Sequence, residues 1–417
     1  MTSTVTAVRR RQGAVPPDPA AARERAVRRR VNAVWGLLYF NTMTFVTGTS
    51  VLDIPSKVGK GLAQGALPLA LLLALTVNPK IKLRPNVFLC LVSVLVVDTV
   101  ITGSQAHLGT MFRTFRLAEF AVALWLMTPW WGRPDMLLLR CHLRWHFIAL
   151  GTVFLGLLIA PGHAFGYNGG RLQGVIWPML PTQVAQYAAV AAGLTVVLWL
   201  ARLVSWRFLL FALIFTMPIL LLTHTRTALL ALAVGILVAG LSLFTTNARV
   251  RRFFAGGAAV VAVGVVTVAG VVTTWLARGE SAQGLTTLTG RTNFWSLVLN
   301  LPRTKFEEIF GFGLSNAGIN GLPIDSNWLA SYMQEGLFGV VICAAILVWL
   351  FVTAFFRPPG VRRALALFLL TYCLLASFTE DAFTDVSTYL LDLTVAASLL
   401  IVAHWTGGQP DGAQPQE

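Results

Sequence analysis

Charge is what this chain has least of. Only 12% of its 417 residues are Asp, Glu, Lys or Arg, roughly half the share that soluble domains carry, which excludes a surface built to face water on all sides. Cysteine is scarce as well. The four present, Cys90, Cys141, Cys343 and Cys373, form no CxxC pair and show no Cys/His spacing, so neither a disulfide framework nor a zinc site is expected. No internal repeat is obvious. The first thirty residues, rich in Arg, Ala and Pro, lack the apolar core of a cleavable leader and read as a disordered basic cytoplasmic tail, residues 1–31.

Apolar residues are abundant. They make up 56% of the chain, mean hydropathy is +0.71, and runs of about 17 to 22 residues recur along the whole length, enough to cross a hydrocarbon core of roughly 30 Å. The expected fold is all-α, a polytopic integral membrane protein of about twelve transmembrane helices near 34–51, 61–77, 86–102, 114–131, 145–161, 182–201, 206–223, 227–246, 254–277, 329–356, 364–379 and 387–405. The membrane domain then runs over 32–405, and 406–417 form a cytoplasmic C-terminal tail.

The basic residues set the orientation. With the N-terminus inside, Arg9–Arg11, Arg23, Arg25, Arg28–Arg30, then Lys80, Lys82, Arg84, then Arg133, Arg140, Arg144, then Arg202, Arg207, then Arg249, Arg251, Arg252, and finally Arg357, Arg362 and Arg363 all fall on inner segments. Both termini are therefore expected in the cytoplasm and the protein in the cytoplasmic (inner) membrane. The net charge of +15 then serves topology and attraction to anionic lipid, so membrane lipids are expected partners and nucleic acid is not.

Two outer segments break the pattern of short connections. One, from about Pro161 to Pro181, carries Gly162, Gly166, Gly169, Gly170 and Gly174 with Pro178, a composition that favours irregular backbone. The other is a long loop over about 278–328, in which Phe294, Trp295, Leu297, Val298 and Leu301, then Phe306, Ile309 and Phe310, recur at helical spacing. Short amphipathic helices lying on the outer leaflet are the expected form. Loops of that length are usually functional.

The run Arg171-Leu-Gln-Gly174 with Pro181 downstream, His224-Thr-Arg226-Thr-Ala-Leu-Leu at the head of a span, Gly290-Arg291-Thr-Asn-Phe-Trp295, Gly311-Phe-Gly313, and Asn327-Trp-Leu leading to Glu335-Gly336-Leu-Phe-Gly339 resemble, in order and spacing, the O-antigen ligase and polymerase-like membrane glycosyltransferases. The resemblance covers roughly 165–345. It implies transfer of a glycan from a polyprenyl (di)phosphate carrier to a sugar hydroxyl of a glycan or glycolipid acceptor, outside the cytoplasmic membrane, with no cofactor and no metal. No Asp-x-Asp pair in an outer loop speaks for a metal either.

A lipid-linked diphosphate is polyanionic, and a guanidinium binds phosphate oxygens bidentately while staying charged at any working pH. The resemblance assigns that role to Arg226 and Arg291, with Arg171 as a third candidate and Asn327 as a further substrate contact; Trp295 is suited by its ring to stack on a sugar or pack against a prenyl chain. The plainer reading of any one arginine is a span-end residue snorkelling to headgroups. Arg113 and Arg116 illustrate it, with Asp98 and Glu119 as expected partners.

The base is where the chain departs from the family pattern. Where many members place a histidine before the asparagine, this chain has Ser326, which leaves Asp325, Glu335 and His224 as candidate bases. Each has a plainer structural reading, as a turn, helix-end or span-end polar residue. Glu380, Asp381 and Asp385 form an acidic outer cluster, suited to counter-charge or to hydrogen-bonding acceptor sugars, while His142 and His146 are placed near the inner face with little expectation of catalysis. The competing class is a membrane transporter or a flippase of lipid-linked sugars, which shares the twelve-span layout but calls for coupling charges near the bilayer midplane.

Overall fold

The computed structural model describes residues 19–46, 48–103, 108–166, 168–244, 247–253, 295–296, 298–314, 318–319, 322–324, 326–380, 383 and 385–401. The helices are α1 Pro19–Thr42, α2 Ser56–Val77, α3 Val87–Gly103, α4 Leu108–Leu126, α5 Leu137–Ile159, α6 Pro161–Phe165, α7 Pro181–Leu200, α8 Trp206–Leu222, α9 Arg226–Phe244, α10 Lys305–Phe310, α11 Asn327–Phe356, α12 Val361–Ala376 and α13 Thr388–Leu400. Among the described residues the other paired structure is a two-residue antiparallel ladder, Gly318 opposite Pro323 and Ile319 opposite Leu322.

Five helices, α2, α5, α7, α9 and α11, are long and apolar enough to cross a membrane, and α3, α8 and α13 are shorter apolar helices. Their outward faces support this makeup of a helical membrane protein. Leu69 and Leu72 on α2, Phe211 and Ile214 on α8, and Val341, Val348 and Phe355 on α11 are each more than half exposed, a band that water would penalise and lipid tails would not. The expected span at 254–277 lies outside the described residues.

Burial is concentrated on α7. Of its most apolar window 89% is buried, against 33% for α2, α5 and α11, and every residue of α13 is buried. Small residues let neighbours approach. A Cβ at Gly193 of α7 would sit 1.9 Å from the Phe368 ring of α12, and one at Gly235 of α9 would sit 2.9 Å from the same ring. Phe368 therefore fills a hollow that only glycines on two helices leave open.

Hydrogen bonds tie the helix ends into two groups. At one end, here the Arg133 end, Arg28 of α1 pairs with Asp135, Asn78 donates to Leu126 O, Arg362 donates to Gly132 O, and Gly132 N donates to Ser398 O. At the opposite, Arg171 end, Val46 N donates to Pro178 O, Thr44 bonds Gln183, and Asn327 N donates to Ser377 O.

The tail expected to be disordered through residue 31 is helical from Pro19. Its charges account for the difference. Glu24 accepts from Arg28 one turn on and from Arg133, while Arg28 reaches Asp135 at 3.1 Å, so the basic turn is neutralised against the α4–α5 connection.

Candidate functional site at the Arg171 end

The site begins with a tight reversal. Between α8 and α9 the chain turns through Thr223, His224 and Thr225, with His224 in the left-handed region at φ 50°. The segment after α6 clamps this turn. Leu172 N donates to Leu222 O at 2.9 Å, Arg171 Nε donates to Thr223 O at 2.8 Å, and Arg171 Nη2 donates to Thr225 Oγ1 at 2.9 Å. Arg226 is the first residue of α9. The turn thus sets two half-buried guanidinium-bearing residues beside a helix N-terminus, where amide N–H groups and the helix dipole favour an anion.

The segment 171–180 has no regular structure, as its glycines and prolines suggest. Gly174 N donates to Met179 O, and a Cβ at Gly174 would lie 2.4 Å from Trp177 O, so this tight loop requires glycine there. Trp177 itself packs between Phe40 and Phe45, with centroids 4.6 and 5.1 Å away.

The start of α9 is joined to the other motif segments. Thr379 Oγ1 donates to Thr227 Oγ1 at 2.9 Å, Trp328 Nε1 donates to Ser377 Oγ at 3.1 Å, and Phe383 N donates to Asn327 Oδ1 at 2.6 Å. Asn327 is fully buried and braces the α12–α13 connection against α11. Glu335 is also fully buried and accepts from Ser331 Oγ at 3.2 Å.

The two glycine motifs pack on each other. Phe312 N and Gly313 N donate to Met333 O and Gln334 O at 2.9 and 2.8 Å, and Gly336 interrupts α11 at φ 66°. A Cβ at Gly311 would stand 2.4 Å from Gln334 C, and one at Gly336 would stand 2.3 Å from Ile309 C. Arg303, not singled out in the sequence, locks the same junction by donating to Tyr332 O and Val298 O with its guanidinium 4.1 Å from the Tyr332 ring centroid. In α10 the N-cap Thr304 and Glu307 form a capping box. The Thr304 backbone N–H holds the Glu307 carboxyl below its ordinary range.

A polar crevice opens beside this assembly. One lobe of about 260 Å³ is lined by Thr44, Arg113, Gln183, Gln186, Glu380 and Thr388 among others, and a second of about 620 Å³ adds Asn41, Lys60, Gln64 and Arg116. The lobes share Thr42, Thr44, Arg113, Leu180, Asp385 and Val386. Arg113 pairs with Asp385 at 3.4 Å and Arg116 donates to Asn41 Oδ1 at 3.4 Å while its charge also acts on Glu119; the carboxyl of Asp98, the other partner their depth in the sequence suggested, forms no hydrogen bond among the described residues. A hollow of about 530 Å³ near the Arg133 end, between α9, α11 and α12, is apolar apart from Ser242 and Arg363 and holds none of the candidate residues.

Of the residues expected to act, Arg171, His224 and Arg226 are brought to one turn, Asn327 and Glu335 are buried on α11, and Trp295 is half-buried in a short helical stretch. Arg291 and Asp325 lie outside the described residues. The sequence reading missed a second polar group altogether. His142 and His146 of α5, placed near the inner face, are fully buried beside Asp392 of α13, and these form the one trio of possible metal-ligating side chains among the described residues. A lone carboxylate inside the 387–405 apolar run was the signal available.

Compared with known proteins, the chain matches no family model and no curated sequence.

Proposed function

We propose that this protein transfers a glycan from a polyprenyl-(di)phosphate carrier to a sugar hydroxyl on the outer face of the cytoplasmic membrane, as a ligase or polymerase of cell-envelope polysaccharide. In this reading the chain spans the membrane twelve times with both termini inside and the Arg171 end outside. The observation that carries it is the Arg171 guanidinium fastened to the α8–α9 turn, one residue from Arg226 at the head of α9.

There the (di)phosphate of the donor meets two fixed cations and a helix N-terminus. As the glycosyl bond breaks, negative charge grows on the departing phosphate oxygen, so cations fixed at that point stabilise the transition state beyond the ground state. Arg291 joins them through the resemblance. The crevice supplies amides, hydroxyls and carboxylates of the kind that hydrogen-bond a polyol acceptor, and the acceptor proton passes to Asp325, His224 or Glu335. The test is turnover by purified protein given a polyprenyl-linked glycan and candidate acceptors without ATP or an ion gradient. Product that disappears in Arg226→Ala and Arg291→Ala supports the reading; near-normal activity in both variants sinks the phosphate clamp.

The carrier or flippase reading draws on a different observation, the fully buried His142 and Asp392 pair between α5 and α13. Movement of a lipid-linked sugar across a proteoliposome without any glycosyl transfer would favour it.

A further inference from the structure

We propose that His142, His146 and Asp392 form a proton-binding site in the core of the membrane domain, filled and emptied through the polar crevice at the Arg171 end. The site stands apart from glycosyl transfer, since no residue assigned to the donor belongs to it.

The hydrogens of the group can be assigned one by one. Trp35 Nε1 donates to His142 Nδ1 at 3.4 Å, so the neutral His142 ring carries its hydrogen on Nε2 and donates it to Asp392 Oδ1 at 2.6 Å. Gln186 Nε2 donates to the other carboxylate oxygen at 2.8 Å. His146 donates from Nδ1 to His142 O, one helical turn back, at 2.9 Å. Its Nε2 lone pair is then left over, fully buried and with no hydrogen-bond partner among the described residues.

With both rings neutral, Asp392 places a full negative charge in a dry interior. The other titratable groups around it are Tyr39 of α1, Tyr187 of α7, Tyr372 and Cys373 of α12, and Tyr389 of its own α13. These are phenols and a thiol, and none supplies a positive charge. Buried charges persist when they are paired, and one added proton, shared between His146 Nε2 and the Asp392 carboxylate, makes the group neutral.

The spacing is that of a shared proton. Two ligand atoms on one tetrahedral zinc, each about 2.0–2.1 Å from the metal, stand roughly 3.3 Å apart, whereas His142 Nε2 and Asp392 Oδ1 are at hydrogen-bond distance. A metal on His142 Nε2 would also need an N–H at Nδ1 to satisfy its outer partner, and that atom already accepts from Trp35.

A chain of hydroxyls leads from the crevice towards the site and ends one ring contact short of His146. Gln186 and Thr388 line the crevice; Thr388 Oγ1 is 2.9 Å from Thr42 Oγ1 and 3.2 Å from Tyr187 Oη, and the Tyr187 ring meets His146 at 5.4 Å. A hydronium in the crevice gives up its proton along these hydroxyls, an N–H or O–H bond forms at His146 or Asp392, and water remains behind; no electrons are exchanged.

The test uses the full chain in lipid nanodiscs, with ¹⁵N-labelled histidine and infrared detection of carboxylic acid, across about pH 5 to 8. The expected result is a joint, reversible change of the His146 nitrogen shift and the Asp392 carboxyl band, with the His146 change lost in Asp392→Asn and its rate reduced in Thr388→Val. Should Asp392→Asn fail to fold, the wild-type spectra decide alone. A cluster silent in both spectra, a His146 titration that survives in Asp392→Asn, or one equivalent of zinc retained by wild type and lost from His146→Gln would each overturn the proposal.

Discussion

The molecule holds two polar regions built in opposite ways. The crevice end is made by backbone turns: Arg171 leads an irregular segment, the 223–225 reversal carries Arg226 into α9, and the α12–α13 connection is stitched to Asn327. The His142 and Asp392 group is made by single side chains projecting from α1, α5, α7 and α13, each satisfied by another. At the first, a side chain can be lost with local consequences and its chemistry goes with it. At the second, loss of one partner strands others in low dielectric, so the damage is to the fold.

The largest expected effect tests that contrast directly. Asp392→Ala removes the acceptor for both His142 and Gln186 and should destabilise the protein by about 2–6 kcal/mol, about 1–3 kcal/mol for each of the two buried donors left without a partner. Unfolding in detergent, followed by helicity, measures it. An alanine variant as stable as wild type would erase the distinction between the two regions.

Arg226→Ala should do the reverse. Stability is expected to stay within about 0.5 kcal/mol, while the proposed glycosyl transfer falls by about 10²- to 10³-fold, the loss that follows removal of one group placed at developing charge. Arg226→Lys should recover only part of the rate, because an ammonium lacks the bidentate fork. A variant that instead unfolds would move Arg226 into the structural class.

The same contrast decides what was legible in the sequence. Turn-built features announce themselves in contiguous motifs: the glycines and prolines before Pro181, the His-Thr-Arg run, and the two glycine motifs were readable because local backbone needs dictate them. The helices were readable because lipid imposes long apolar runs. Trp35, His142, Gln186 and Asp392 are separated by up to hundreds of residues, and only the packing of α7 against α5 and α13 brings them together. Arg291, which the resemblance selects, and Asp325, a candidate because Ser326 stands at the family's histidine position, lie outside the described residues, so of the three expected arginines only Arg171 and Arg226 are placed. The helical start at Pro19 was hidden for another reason, since an Arg-rich segment reads as a solvated tail until Asp135 and Glu24 are seen to neutralise it.

A smaller effect belongs to the crevice wall. The paired Arg113 and Asp385 line both lobes, and if the acceptor glycan binds there, Arg113→Ala removes a charged hydrogen-bond donor worth about 1.5 kcal/mol. Acceptor KM should rise about tenfold with kcat unchanged, the signature of binding shared by ground and transition states. A fall in kcat at constant KM would place Arg113 with the donor chemistry instead.

The smallest effect lies at the Arg133 end and concerns pH. Arg28 and then Arg133 hold the Glu24 carboxyl below its ordinary value of 4.5, so the folded state binds this proton less readily than the unfolded chain does. Its contribution is therefore fully present above the ordinary value and is lost as pH falls through the lower, folded one. The Glu24 side chain is 42% exposed, and solvent screening reduces such a pair to a few tenths of a kcal/mol. Glu24→Gln should accordingly lower stability slightly at neutral pH, leave it equal to wild type in acid, and loosen the first turns of α1 in hydrogen exchange while glycosyl transfer and the His146 titration stay unchanged. A loss that persists unchanged into acid would mean that Glu24 holds α1 by packing and not by charge.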